Sequence, residues 1–165
     1  MANIQTNPLM EHNCFITLKH KSKRPVAVDW LNNGKTFDAA HITGSNVGII
    51  LGEYSGFHDI DLDCTEAVAL ADIVLPKPYA VFDRGTEDSR HYLYRSSTFG
   101  KRKAFNGDGP KTTIVELRGD GAQTMIPPSV HPEGQELSYT SINENAVTVE
   151  YDELLRSVAL LAAAA

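Results

Sequence analysis

The sequence predicts one α+β domain, with helices and strands mixed in a single globular unit, on three observations. A chain of 165 residues with 42% hydrophobic and 22% charged side chains can bury one sizeable core and is too short for two ordinary domains. Apolar runs rich in β-branched residues recur between glycine-containing turns, the mark of buried strands. Two segments of good helix formers, 65–75 and 150–165, supply helices among them.

In chain order, residues 14–18 (Cys-Phe-Ile-Thr-Leu) form a short first strand, followed by a basic turn and by residues 30–34, which end in the turn residues Asn32, Asn33 and Gly34. Residues 46–52 (Asn-Val-Gly-Ile-Ile-Leu-Gly) read as a buried strand. Glu53-Tyr54-Ser55-Gly56 supplies a turn, which predicts a hairpin into residues 57–63. That second strand alternates strictly, placing Asp59, Asp61 and Asp63 on one face and His58, Ile60 and Leu62 on the other. A helix follows over 65–75 with Thr65 available as N-cap, and Pro76 and Pro78 stop it. Residues 79–82 and 91–95 are two further strands across a polar stretch, 83–89. Residues 113–118 form another strand after the loop 106–110, and residues 123–126 run into Pro127-Pro128, which should end that strand or keep it at a sheet edge. The final helix stops on Ala162–Ala165 with neither cap nor breaker, so a single domain over 1–165, cut from a longer protein, is the expectation.

Composition narrows the function. No apolar run reaches the roughly 20 residues that span a bilayer, and Met1–Met10 is polar, without a signal peptide's apolar block, which points to the cytoplasm and away from membranes. The two cysteines, Cys14 and Cys64, are far apart, so neither a disulfide framework nor a structural zinc site is indicated. No Gly-x-x-x-x-Gly-Lys-Ser/Thr loop occurs, which excludes a P-loop ATPase in this segment. The formal net charge of −6 argues against tight independent binding to nucleic acid, although clustered carboxylates that hold metal ions would account for part of it. Cations gather in two runs, Lys19 to Arg24 and Lys101 to Lys103.

Three aspartates on one strand face repel one another, so a cation should sit among them. Hard oxygen donors suit Mg²⁺ or Mn²⁺, and two such ions can serve an in-line displacement at phosphorus. An acidic edge strand that merely resists aggregation is the plainer alternative. Glu116, inside an otherwise apolar strand, could complete the set from a neighbouring strand, or be a surface glutamate. His91, which opens a strand after a polar loop, could donate a hydrogen bond to a triphosphate oxygen. Arg118, two residues beyond Glu116, should share its face and suit phosphate recognition, or simply pair with those carboxylates. Gly119 and Gly121 let a turn approach closely or reverse the chain.

These residues, in this order, resemble the bifunctional DNA primase/polymerase N-terminal domain, a branch of the archaeo-eukaryotic primase superfamily. Residues 46–52, Ser55-Gly56 and Asp59-Ile60-Asp61-Leu62-Asp63-Cys64 look like its first motif. Ser89-Arg90-His91 is similar to the second, a small residue, any residue, then His. Val115-Glu116-Leu117-Arg118 and residues 123–134 are similar to the third and the segment behind it, and Lys23-Arg24-Pro25 is loosely similar to an early Lys-x-Pro segment.

The resemblance implies a primase-polymerase fold, with a mixed central sheet like an RNA-recognition module flanked by helices. It implies metal ligation by Asp61, Asp63 and Glu116 with Asp59 as a further candidate, and contact of His91, Ser89 and Arg118 with the incoming nucleotide. It further implies a single-stranded DNA template, nucleoside triphosphates, a helicase often carried on the same longer chain, and service in plasmid, phage or other mobile-element replication. Two other readings of the same residues are a metal-dependent phosphoesterase or nuclease and a non-catalytic nucleic-acid-binding module.

Overall fold

A computed structural model describes residues 12–109 and 112–165. The N-terminal segment Met1–Met10 and Pro110 of the 106–110 loop lie outside the described residues. Strands β1 (Phe15–Leu18) and β2 (Asn46–Ile50) flank a 3₁₀ turn, Trp30–Asn32, and the short helix α1 (Phe37–Ala40); β3 (Phe57–Leu62) and helix α2 (Thr65–Val74) follow. Then come β4 (Ala80–Asp83), β5 (Arg90–Arg95), β6 (Lys103–Asn106), β7 (Thr113–Arg118), β8 (Gln123–Ile126), β9 (Ser138–Ile142) and helix α3 (Tyr151–Ala164).

The strands form two sheets, one of three strands ordered β1-β2-β8 and one of six ordered β6-β7-β3-β5-β4-β9. The α+β class holds. In place of one mixed sheet, every pairing between these strands is antiparallel. The expected hairpin between β2 and β3 is also corrected. The turn is real, with the Gly52 N–H bonded to the Phe57 carbonyl at 2.7 Å, but beyond it β2 pairs with β1 and β8 whereas β3 pairs with β5 and β7. A run apolar on both faces, as β2 is, can be enclosed in its own sheet, whereas β3 must divide its two faces between unlike neighbours.

Alternation along the central strands makes that division. Ile60 and Leu62 of β3, Tyr92 and Tyr94 of β5 and Val115 and Leu117 of β7 face one way, into a core closed by α2 and α3. Helix α3 contributes Leu154, Val158 and Leu161, an i, i+4, i+7 stripe. Phe57, Leu93, Ala80 and Phe82 face the other way, into a core shared with Ile49, Met125 and Ile126 of the small sheet. Asp59 and Asp61 lie on this second face, between the two sheets and toward one end.

Helix α2 begins one residue earlier than a Thr65 cap requires: Cys64 is the N-cap and makes no side-chain capping bond. Strand β8 ends at Ile126, directly before Pro127-Pro128, and lies at the edge of its sheet, as those prolines dictate. Strands β6 and β9 and helix α1 carry no clear sequence signal. The first two are edge strands with mostly exposed residues, and α1 is only four residues long. Gly121 reverses the chain at a φ of +78°.

Gly119 is closely covered: a Cβ there would stand 2.1 Å from the Gly100 carbonyl oxygen and 2.7 Å from the His58 ring. His58 is itself fixed, with its ring nitrogens 3.1 Å from the Arg118 carbonyl and 3.2 Å from the Thr98 carbonyl. Gly119→Ala is therefore expected to cost about 1–3 kcal/mol through overpacking. Thermal unfolding should show a Tm lower by roughly 2–12 °C at about 2–4 °C per kcal/mol.

Candidate active site

Register places the chemistry. On β3, Asp59 stands opposite Leu93 of β5 and Arg118 of β7, and Asp61 opposite His91 and Glu116. Asp61, His91, Glu116 and Arg118, all singled out above, thus meet with Asp59 on one face across three adjacent strands. Asp63 lies one residue beyond β3, its N–H bonded to the Ile114 carbonyl at 3.0 Å, and Ser89 precedes β5 by one residue.

The three aspartates occupy different environments. Asp59 is wholly buried. His91 Nδ1 lies 3.0 Å from its Oδ2 and 3.3 Å from its Oδ1, and an Arg118 guanidinium nitrogen lies 3.8 Å away. Burial alone would raise the Asp59 pKa; the charge and hydrogen bond of His91, then Arg118, outweigh it and hold the carboxyl below its ordinary value. Asp61, 3% exposed, takes a 2.5 Å ion pair from Arg118 and has His91 Nε2 at 3.4 Å. Asp63, at the mouth, is the most open of the three, yet the protein around it and then the neighbouring Asp61 charge push its carboxyl up to about 6.

Two side chains answer the charge of these carboxylates. His91 lies between Asp59 and Asp61 with its ring stacked on Phe82, centroids 4.8 Å apart and planes 5° from parallel. Burial would depress its pKa, but Asp61 and Asp59 raise it overall, which favours the imidazolium with both N–H groups donating. Arg118 pairs with Asp61, with Asp59 and, through Nε at 3.1 Å, with Glu116. Against the opposing effect of burial, those three carboxylates raise its pKa further. Glu116 also binds Arg102 at both carboxylate oxygens, and despite its burial the two arginines hold it below its usual range.

Among the described residues, no three His, Cys, Asp or Glu side chains stand ready to enclose a metal ion. The Arg118 guanidinium bridges Asp61 and Glu116 instead. The donor chemistry nonetheless fits a hard divalent cation. Asp61, Asp63 and Glu116 offer oxygen ligands from adjacent strands, and Asp63 carries like-charge repulsion that a cation would relieve.

Beside this cluster a small pocket is lined by the cations Lys23, Arg84 and Arg118, by Ser89, His91 and His131, and by the carboxylate of Asp83, among others. Its volume, about 40 Å³, is room for about three waters at roughly 10–15 Å³ each, the size of a phosphate group rather than a whole nucleotide. Arg84 donates to Glu133 at 2.5 Å, lies 3.1 Å from His131 Nδ1 and faces Asp88 at 3.9 Å. Two buried polar atoms of pocket-lining residues, Arg84 Nε and Gln123 Oε1, have no hydrogen-bond partner among the described residues. Unsatisfied buried groups are unfavourable and mark a place for a ligand or water. Arg84 and His131 escape a reading of the sequence because each sits in a loop without periodicity; the Pro-Pro-Ser-x-His-Pro run around His131 is the one signal that points there.

The chain belongs to the family of bifunctional DNA primase/polymerase N-terminal domains, whose model matches residues 8–156. It is thus a domain of the DNA primase/polymerase type, a class that works in DNA replication. No curated protein matches the chain. Among the described residues no helix is long and apolar enough to cross a membrane.

Proposed function

We propose that this domain is a template-directed nucleotidyl transferase, the catalytic core of a DNA primase/polymerase that extends a strand with nucleoside triphosphates on single-stranded DNA. Its setting would be cytoplasmic replication of a plasmid, phage or other mobile element, with a helicase in the same longer chain or replicon. The observation that carries this reading is the adjacency of Asp61, Asp63 and Glu116 to the pocket that holds Lys23, Arg84 and Arg118, where Arg84 Nε and Gln123 Oε1 are buried without a partner among the described residues.

In this reading Asp61, Asp63 and Glu116 hold Mg²⁺ or Mn²⁺, which supplies activation of the attacking 3′ hydroxyl and neutralisation of the leaving pyrophosphate. The remaining work falls to the chain itself. One phosphate of the triphosphate enters the pocket, with the base and sugar outside it. His91, fixed by Asp59 and Phe82, donates to a phosphate oxygen, and Ser89, two residues away, offers a hydroxyl. Arg84 exchanges the exposed carboxylates of Glu133 and Asp88 for phosphate, Lys23 adds a second cation to the wall, and His131, which burial and then Arg84 hold below its ordinary pKa, lines it as a neutral imidazole. Arg118, which neutralises the mutual repulsion of Asp61, Asp59 and Glu116, also lines the pocket and so would be placed to donate to a phosphate there.

Titration of the purified protein with a deoxynucleoside triphosphate in Mn²⁺, against the unphosphorylated nucleoside, tests this directly. The triphosphate is expected to bind and the nucleoside to bind far more weakly. Arg84→Ala and His91→Ala should each weaken the triphosphate about 10-fold or more, the scale of a lost charged hydrogen bond of about 1.5–3 kcal/mol. Equal affinity for nucleoside and triphosphate, or no binding of either, would overturn the assignment.

A further inference from the structure

A second and larger concavity, about 430 Å³, lies against β1 of the small sheet. Trp30, Val26, Ile42 and Leu18 supply its apolar lining, and Lys19 and Lys35 its cationic rim, with His20 beside them. Val26 and Ile42 are more than half exposed, and Val28 beyond them is fully exposed. Between His12 and Lys35 the chain carries five lysines and arginines against one acid, Asp29, in a protein whose formal net charge is −6. Positive charge is therefore concentrated where the exposed apolar surface is.

The basic loop 19–24 joins this groove to the candidate active site. Lys19 and His20 line the groove at one end, and Lys23 lines the phosphate-sized pocket at the other. The loop is held in place: Gln123 donates to the Lys23 carbonyl at 2.8 Å, and Asn46 to the Ser22 carbonyl at 3.3 Å. Lys21, at its apex, takes a left-handed φ of 48°, and its side chain is exposed.

We propose that this groove holds the single-stranded template: a base stacks on Trp30 while the backbone phosphates follow Lys19, Lys21, Arg24 and Lys35 toward the active site. The proposal rests on the polymerase reading above for what lies at the end of that path. An aromatic platform inside a cationic groove binds single strands without sequence preference, because every base has a π-face and every nucleotide a phosphate. A protein partner fits less well, since lysine is depleted from protein–protein interfaces.

Trp30 is the only tryptophan in the chain, so intrinsic tryptophan fluorescence reports on this groove alone. Titration with oligo-dT at low salt, without nucleotide or metal, is expected to quench the emission saturably. Lys19→Ser/Lys35→Ser should weaken that binding about 10-fold or more and flatten its salt dependence by about 0.7 in slope for each phosphate no longer neutralised. In incorporation assays the lysine double variant should raise the KM for template and leave the KM for nucleotide unchanged. Absence of quenching, or quenching indifferent to the two lysines, would overturn the proposal. So would a concentration-dependent emission change without DNA that parallels dimer formation in sedimentation, since a second copy would then fill the groove. Robust incorporation with no quenching would reject the groove and keep the polymerase. Lysine-dependent quenching without incorporation would keep the groove and reject the polymerase.

Discussion

Asp63→Asn is expected to lower nucleotide incorporation by about 10²–10³-fold or more, the scale of removing one preorganised electrostatic stabiliser, while the fold stays at least as stable. Asp63 makes no ion pair among the described residues and is crowded by the Asp61 charge. Removing its charge relieves repulsion in the folded state and breaks no ion pair, so activity and stability should part company, as they do where a site is kept under strain for function. Asp61→Asn should lose activity to a similar degree and also destabilise, because it deprives Arg118 of its closest partner at 2.5 Å. Thermal melts beside incorporation rates for the two single variants check the contrast; equal loss of Tm in both would contradict it.

Asp59→Ala is expected to produce the largest loss of stability in the site, about 3–5 kcal/mol, because it leaves a buried imidazolium and a guanidinium short of a counter-charge. At about 2–4 °C per kcal/mol the Tm should fall by roughly 6–20 °C. Asp59 is wholly enclosed, with His91 and Arg118 drawn against it, so its role here is to hold those two side chains in place. The isosteric Asp59→Asn, which still accepts from His91, should lose less stability and raise the KM for nucleotide more than it lowers kcat. Were Asp59 chiefly a metal ligand, Asp59→Asn would instead cut kcat steeply with an unchanged Tm.

Much of this site is legible in the residues. Period-two alternation of residues 57–63 puts Asp59 and Asp61 on one face and Ile60 and Leu62 on the other, and the structure keeps that division. The two-residue spacing of Glu116 and Arg118 gives their shared face correctly. Repulsion among the aspartates requires a cation, and in this structure Arg118 and His91 meet that requirement from within the chain. What alternation cannot convey is depth. Asp59, Asp61 and Asp63 look equivalent in a strand pattern, yet they range from sealed to open because the small sheet covers one end of β3 and not the other. Sheet assignment is equally hidden: the turn at 53–56 is the same whether its flanking strands pair or part, and long-range partners such as β8 decide the outcome. Arg84 and His131 converge from residues 47 apart in the chain, a meeting that tertiary packing alone creates.

The central claim is that the acidic cluster and the cationic pocket form one site for strand extension. It is tested most directly by incubating a 5′-labelled primer on a single-stranded DNA template with the protein, with and without deoxynucleoside triphosphates, in Mg²⁺ and in Mn²⁺, alongside the Asp61→Asn/Asp63→Asn double variant. The expected result is a primer lengthened only when nucleotides and metal are both present, and only by the wild-type protein. A primer shortened by the wild-type protein without nucleotides would contradict the account and make the same carboxylates those of a nuclease; extension that persists in the double variant would show that the chemistry lies elsewhere.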